Sequence, residues 1–514
     1  MKRKVLLCGT HPKQFNGYSK VVFELANELA KYDDIDLTIF AFQNFYSEDD
    51  HTKERQLPDN VKIFDAFARE EKGGKGFGEK LIKDFVEELC PDIVIVYNDV
   101  IIVSWLLKQL SQIKDKVPFK VVPYIDLVYQ NEKKSYIDFI TKESDAIIAF
   151  TDYWKQELQN QDYNKPIHVL KHAFNKDSYY PIPKNIARKY FDIGQDDFII
   201  LNLNRNQPRK RWDLCIQAYI KFISRHRNDK IKLLVMTNVI GSWDLIQLMK
   251  FEGKKYGMDV GELKHFFTFI QNPQKISDAE INVMYSVADI GWNTCDGEGF
   301  GLCNFEQAGV GKPQIIPNIG GFRDFFTKDN SLLIEPAMGI YGDTSKDSCG
   351  GFQELCTVDS FVEALETYYS NRDLLNAHGI QARSDILKYR WHEQASVLRD
   401  IILEETSDLY PDMSSSEDLM NSINEMLEAA DTKNDADQPT EDACTSSVDN
   451  IDIDKLINEK LKEKQQTTKN NVVEQPIQSK KIVDDLETLS PNDLISMQLR
   501  IQNILNKKNQ LQVG

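Results

Sequence analysis

Several things are scarce in this 514-residue chain, and each scarcity removes a class of function. The eight cysteines, at 8, 90, 215, 295, 303, 349, 356 and 444, form no Cys-x-x-Cys pair. That excludes the usual zinc and disulfide frameworks and leaves free thiols, mostly small buried residues. No apolar run approaches the roughly 20 residues of a membrane span. The basic start Met1-Lys2-Arg3-Lys4 is followed only by Val5-Leu6-Leu7-Cys8 before Gly9, too short for a signal-peptide core, so a cytoplasmic protein is expected. A basic excess is missing too: the net charge of −18 would repel a polyanion, so no nucleic-acid partner is expected. After Tyr410 there is no aromatic residue. The segment 406–514 is acidic and of low complexity, and cannot bury enough apolar surface to offset its ordering entropy, so most of it is expected to be disordered. Within it, 451–464 and 492–507 carry Leu and Ile at helical spacing and could fold on a protein partner; the alternative is nascent helices in a solvated tail.

Ahead of the tail the composition is that of a globular protein, with 27 Phe and 20 Tyr as material for more than one core, and the length exceeds what one core organises. Short apolar runs without period-two alternation recur at 3–8, 37–40, 93–96, 120–123 and 146–149. Helical segments separate them, among them 18–32, 79–89 and 101–113. Strands buried on both faces and spaced by helices imply a parallel sheet covered on both sides. The stretch 175–197 is loop-like, and a second series follows: strands at 198–203, 231–236, 266–269, 288–292 and 313–316, helices at 212–225, 244–256, 278–287 and 303–311. The predicted architecture is α/β, two tandem Rossmann-like domains (1–180 and 181–388) with a cleft between them, a helix at 389–405 crossing back to the first domain, and the tail. Residues 338–356, rich in Gly and Asp, read as an insertion that either borders a ligand or forms a surface loop.

The most informative stretch is Asn293-Thr294-Cys295-Asp296-Gly297-Glu298-Gly299-Phe300-Gly301-Leu302-Cys303-Asn304-Phe305-Glu306, which leaves a predicted strand and opens into a helix. Glycines here let backbone N–H groups approach a phosphate, and the helix N-terminus adds partial positive charge. Glu298 in the loop and Glu306 about one turn into the helix can address different parts of one ligand. A second basic segment, Arg205-Asn206-Gln207-Pro208-Arg209-Lys210, follows the strand 198–203.

On these residues the chain resembles the retaining GT-B glycosyltransferases, whose E-x7-E signature matches Glu298 and Glu306 around Gly299, Phe300, Gly301 and Leu302. The resemblance implies that Glu298 contacts donor-sugar hydroxyls and Glu306 the ribose diol, while Arg205 and Lys210 neutralise the diphosphate of a UDP- or GDP-sugar. It also implies that Asn16-Gly17 in the first loop lets the first domain approach the donor phosphates. Ile319-Gly320-Gly321 and Tyr389-Arg390-Trp391 resemble further family positions, although for Gly17 and the glycine pair taken singly plain turn chemistry is the simpler reading.

The sequence departs from the family where a His often follows the strand near 119–123; it reads Tyr124-Ile125-Asp126, which makes Asp126 the first-domain catalytic candidate or else simply the cap of the next segment, with His11 and His172 as other polar candidates. The Asp-x-Asp matches, Asp34-Ile35-Asp36 and Asp452-Ile453-Asp454, lack the surroundings of a metal-bound diphosphate, so no metal and no cofactor is expected beyond the donor itself. The implied reaction is transfer of a hexose with retention to a hydroxyl of a glycan, protein or small molecule. A nucleotide-sugar epimerase of the same architecture and a non-catalytic nucleotide-sugar-binding module are the competing readings.

Overall fold

The computed structural model describes residues 2–45, 55–71, 74–191, 193–271, 275–345 and 348–410. The tail expectations for 411–514, with both helical stretches and Cys444, lie outside the described residues.

In chain order the first strands are β1 (Arg3–Thr10), β2 (Ile35–Phe42), β3 (Lys62–Asp65), β4 (Ile93–Asp99), β5 (Lys120–Val121), β6 (Tyr124–Asp126), β7 (Gln130–Glu132), β8 (Ile147–Ala149) and β9 (Ile167–Val169). All but β7 form one sheet of order β3-β2-β1-β4-β6-β8-β9, with β5 on β4, and every pairing is parallel. The last six residues of β1 are buried, as a strand covered on both faces requires. The second sheet holds β10 (Phe198–Leu203), β11 (Ile231–Met236), β12 (Phe267–Ile270), β13 (Ile290–Trp292), β14 (Gln314–Pro317) and β15 (Ser331–Ile334), in the order β12-β11-β10-β13-β14-β15, again parallel throughout.

Three strands at sheet edges, β3, β9 and β15, are not among the expected runs, and two further features differ from the sequence expectation. The strand expected at 120–123 is only β5, Lys120–Val121, because Pro123 cannot donate to the ladder; the strand resumes beyond it as β6, Tyr124–Asp126. The segment 338–356 is not a free loop: β16 (Met338–Tyr341) and β17 (Gly350–Leu355) form a hairpin whose second strand pairs antiparallel with β7, Gly350 opposite Glu132 and Phe352 opposite Gln130. The Glu354 N–H also donates to the Asp296 carbonyl at 3.1 Å, so this small third sheet joins the segment after Asp126 to the loop that carries Glu298.

One apolar core runs from the first sheet through Phe300, Phe305 and Phe325 to Trp391 and Leu398 of the Trp391–Glu405 helix. A second, under the other face of the second sheet, is built on Trp212, Tyr219, Trp292 and Phe361. The Trp391–Glu405 helix packs on the Gly17–Leu29 helix, and its Arg399 Nε donates to Asp34 at 3.0 Å. Asp34, one half of the first Asp-x-Asp match, is thus a partner in an ion pair.

Candidate active site

The strand ends β1, β4, β6, β10 and β13 converge on one cavity of about 190 Å³. In open parallel sheets ligands sit at the carboxyl ends of the strands, outside the sheet edge. At the end of β1, Asn16 caps the Gly17–Leu29 helix: its side chain accepts from the Ser19 N–H at 2.9 Å, and Ser19 Oγ accepts from the Asn16 N–H at 3.2 Å. The side chain of Asn16 is thereby occupied, although the residue lines the cavity. Gly17 lines it as well, and a Cβ there would meet only Leu302 Cδ2, at 3.7 Å. Nothing in the protein's own packing demands glycine at 17.

After β10 the chain turns through a short 3-10 segment, Pro208–Lys210, on which the 293–298 loop docks. The Asp296 N–H donates to the Arg209 carbonyl at 3.0 Å and Thr294 Oγ1 to the Arg211 carbonyl at 3.1 Å. This docking places the charges of the two segments together. Lys210 Nζ binds Glu298 Oε2, and Arg209 Nη1 reaches Glu298 Oε1 at 3.2 Å and the Gly297 carbonyl at 3.1 Å. Burial by itself raises the Glu298 carboxyl, but the two cations outweigh it and bring it down to about 2. Lys210 is buried at 7% exposure, whereas Arg205 is exposed at the rim.

The glycines of this loop are spacers with distinct duties. Gly301 has φ +83° at the N-cap of the Leu302–Gly309 helix, and a Cβ there would lie 2.1 Å from the Phe322 ring. No side chain caps this helix end, so its first N–H groups stay available for an anion. Gly299 does not line the cavity. Its carbonyl accepts from Trp154 Nε1 at 2.7 Å, and a Cβ on it would lie 1.7 Å from Asp126 Oδ1. Gly320, at φ +44°, fits the turn reading; at Gly321 a Cβ would sit 2.0 Å from the Gly299 carbonyl oxygen, so close backbone approach calls for glycine there in addition.

Glu306 is met by residues the sequence did not single out. Its Oε1 binds Lys20 Nζ at 2.6 Å and its Oε2 accepts from Tyr285 OH at 2.9 Å. Lys20, on the Gly17–Leu29 helix, also faces Asp278 at 3.6 Å, and Asp278 takes both arms of Arg55 at 2.9 and 3.0 Å and the Tyr179 hydroxyl at 2.6 Å. Burial lowers the Lys20 ammonium, but Glu306 and Asp278 outweigh it and hold it above its ordinary value. Burial likewise raises Asp278, yet Lys20 and Arg55 bring it down to about 2. Lys20 and Asp278 stand in the first turns of their helices; no local pattern marks them or Arg55 as site residues.

Facing Glu298 from the first sheet is Asp126, at the end of β6. Its Oδ2 accepts from Tyr18 OH at 2.5 Å. Burial pushes its carboxyl up to about 6, with Arg209 and Tyr18 pulling it down and Glu298 and Asp99 adding to the rise. Beside it Tyr97, Phe150, His172 and Phe300 make an aromatic wall, with the His172 ring 4.3 Å from Phe300 and 4.7 Å from Phe150. Burial pushes His172 down to about 3. His11 is buried but does not line the cavity.

Two parallel sheets with their strand ends on a shared cavity, and a C-terminal helix returning to the first half, correspond in solved structures to sucrose-phosphate synthase from Thermosynechococcus elongatus. The TM-score is 0.59 at 15% identity, over 78% of this chain and 99% of that one. Anabaena Alr3699/HepE, solved with UDP and glucose, aligns with a TM-score of 0.56 at 13% identity over 78% and 100% of the two chains. The chain adopts the GT-B fold. No family model matches the sequence. Among curated proteins, D-inositol 3-phosphate glycosyltransferase of Gordonia bronchialis is 27% identical over 263 residues, 49% of this chain and 50% of that protein. The chain thus spans about half the length of the curated relatives it matches.

Within the GT-B cleft, Asn16, Gly17, Asp126, Arg205, Lys210, Glu298, Phe300, Gly301, Leu302 and Glu306 line one cavity, with Gly299 immediately behind. The residues that sequence reasoning passed over are Lys20, Arg55, Arg209, Asp278 and Tyr285, all lining the same cavity. Arg209 reads in sequence as part of a basic turn, yet it is the second cation on Glu298. Among the described residues no group of three or more His, Cys, Asp or Glu side chains is arranged to hold a metal, and no helix is long and apolar enough to cross a membrane. The described cysteines are all free.

Proposed function

We propose that the chain is a glycosyltransferase that moves a hexose from a UDP- or GDP-sugar to an acceptor hydroxyl, with retention of configuration and without a metal ion. The observation that carries this reading is Glu298, held as a carboxylate by Lys210 and Arg209 between an uncapped helix N-terminus and the Asp126 wall. The naming of the curated relatives as glycosyltransferases supports the reaction class.

In this reading the diphosphate lies against the first N–H groups of the Leu302–Gly309 helix, Arg205 and Lys210. An ammonium has three donors, so Lys210 can keep Glu298 and still donate to a phosphate. The charge that grows on the departing nucleotide diphosphate meets fixed cations, which is where electrostatic stabilisation counts most. Glu298 then orients donor-sugar hydroxyls, and Glu306 accepts from the ribose diol, its Lys20 contact fixing the carboxylate. The acceptor hydroxyl enters on the side of Asp126, attacks the face the diphosphate is leaving, and passes its proton to a donor phosphate oxygen. No protein nucleophile is required.

The test is calorimetric titration of the full-length protein with UDP and with GDP in EDTA. One of the two is expected to bind the wild type and to bind Lys210→Ala at least about tenfold more weakly, the loss of one charge-assisted hydrogen bond. Binding of neither nucleotide, or equal binding by the variant, sinks the proposal.

A further inference from the structure

The two walls of the cleft differ in the charge they have to spare. On the second-half side Arg205 makes no side-chain hydrogen bond or ion pair among the described residues and is free for the donor. On the first-half side the two cations lining the cavity among the described residues, Lys20 and Arg55, are balanced by two carboxylates, Glu306 and Asp278, whereas Lys210 and Arg209 share the single carboxylate of Glu298. Arg209, which reaches across, is held by Glu298 and the Gly297 carbonyl.

What this wall offers instead is aromatic surface and hydrogen-bond acceptors. Tyr97, Phe150 and His172 supply rings, joined by Phe300 from the Glu298 loop. Asp126 supplies a carboxylate that accepts from the hydroxyl of Tyr18, whose ring lies 5.3 Å from that of Tyr97. His172, buried at 3% exposure, has no hydrogen-bond partner for Nδ1. Rings that pack against apolar C–H faces, beside groups that accept from hydroxyls, recognise a polyhydroxylated ring without charge. A phosphate monoester placed there would face Asp126 with no net positive charge on this wall among the described residues to offset it, and like charges brought together oppose binding.

We infer that the acceptor is an uncharged polyhydroxylated ring, seated on the Tyr97–Phe150–His172–Phe300 wall with a hydroxyl on Asp126, and that phosphorylated acceptors are rejected. The inference rests on the transferase reading above and sets this chain apart from curated relatives whose name carries a phosphorylated inositol.

The experiment follows nucleotide-diphosphate release by the full-length protein from whichever donor binds, with and without matched acceptors. These are methyl hexosides against their 6-phosphates, and myo-inositol against D-inositol 3-phosphate. At least one neutral ring is expected to raise release about tenfold or more above the acceptor-free rate, and its phosphorylated counterpart to be about tenfold poorer or worse in kcat/KM. Asp126→Asn is expected to raise the KM for that neutral ring about tenfold, as loss of a hydrogen bond to a charged group does. A phosphorylated ring that equals or beats its neutral partner overturns the inference, as does donor that binds while no neutral ring raises release. Failure of any donor to bind is a separate result, seen in the titration, and it counts against the transferase reading itself.

Discussion

The contact between Lys20 and Glu306 joins a helix of the first half to a helix of the second, and its removal has a calculable cost. At 2.6 Å the Coulomb attraction at an effective dielectric constant of about 20 is about 6 kcal/mol, most of it offset by desolvation of the two ions. In Lys20→Met the volume is kept and Glu306 is left buried with only Tyr285 OH. The carboxyl then takes up a proton, which limits the penalty to about 1.4 kcal/mol for each pH unit above its ordinary 4.5. That is about 3 kcal/mol at pH ~7 and under about 1 kcal/mol at pH ~5. The sign follows from linkage: the variant's folded state binds a proton that its unfolded state releases, so its stability falls as pH rises from 4.5. Urea unfolding of wild type, Lys20→Met, Glu306→Gln and the double variant at both pH values reads this out. The double variant is expected within about 1 kcal/mol of wild type, because no buried charge is left alone. A Lys20→Met penalty equal at both pH values, or additive single effects, would mean that Glu306 does not depend on Lys20 for its charge.

Other expectations follow from the same contacts. Gly17→Ala leaves stability unchanged, since a Cβ there meets only an ordinary contact at 3.7 Å, but weakens donor binding if the donor phosphates approach that backbone; unaltered binding removes Gly17 from the site. Gly321→Ala drives a Cβ to 2.0 Å from the Gly299 carbonyl oxygen, a backbone clash that displaces the Glu298 loop and costs about 1–3 kcal/mol together with donor affinity. Burial pushes Glu132 on β7 up to about 8. Its folded pKa lies above the unfolded value, so stability falls as pH rises from 4.5 through about 8. Glu132→Gln should therefore gain in melting temperature relative to wild type between pH ~5 and pH ~9, and a gap that does not change with pH contradicts the assignment. Finally, kcat/KM should fall as pH drops through about 6, where Asp126 takes its proton; Asp126→Asn should flatten that limb.

Strand runs such as 198–203 and 231–236 could be read directly, because strands buried on both faces have to be continuously apolar and the glycine-rich exits have to be glycine. The pairing of 350–355 with 130–132 could not: β7 is three residues, Gln-Asn-Glu, with no apolar pattern, and only the distant hairpin makes it a strand. The acidic half of the site, Glu298 and Glu306, was legible from spacing after a strand. Its cationic half was legible only for Arg205 and Lys210. Lys20 and Arg55 are brought to the cleft from 286 and 223 residues away from their partners Glu306 and Asp278, a distance over which local sequence carries no signal. Asp126 stood out only as a departure from a family pattern, and its place against Gly299 came from the fold.

Nucleotide-diphosphate release from UDP- and GDP-sugars in EDTA, by wild type and by Glu298→Gln, shows directly whether this cleft turns over a sugar donor. Wild type is expected to consume one donor without metal, and Glu298→Gln, which keeps the shape but loses the charge that Lys210 and Arg209 hold, to fall by about 10²-fold or more in kcat. Equal turnover by the variant, or no consumption of either donor by the wild type, contradicts this expectation.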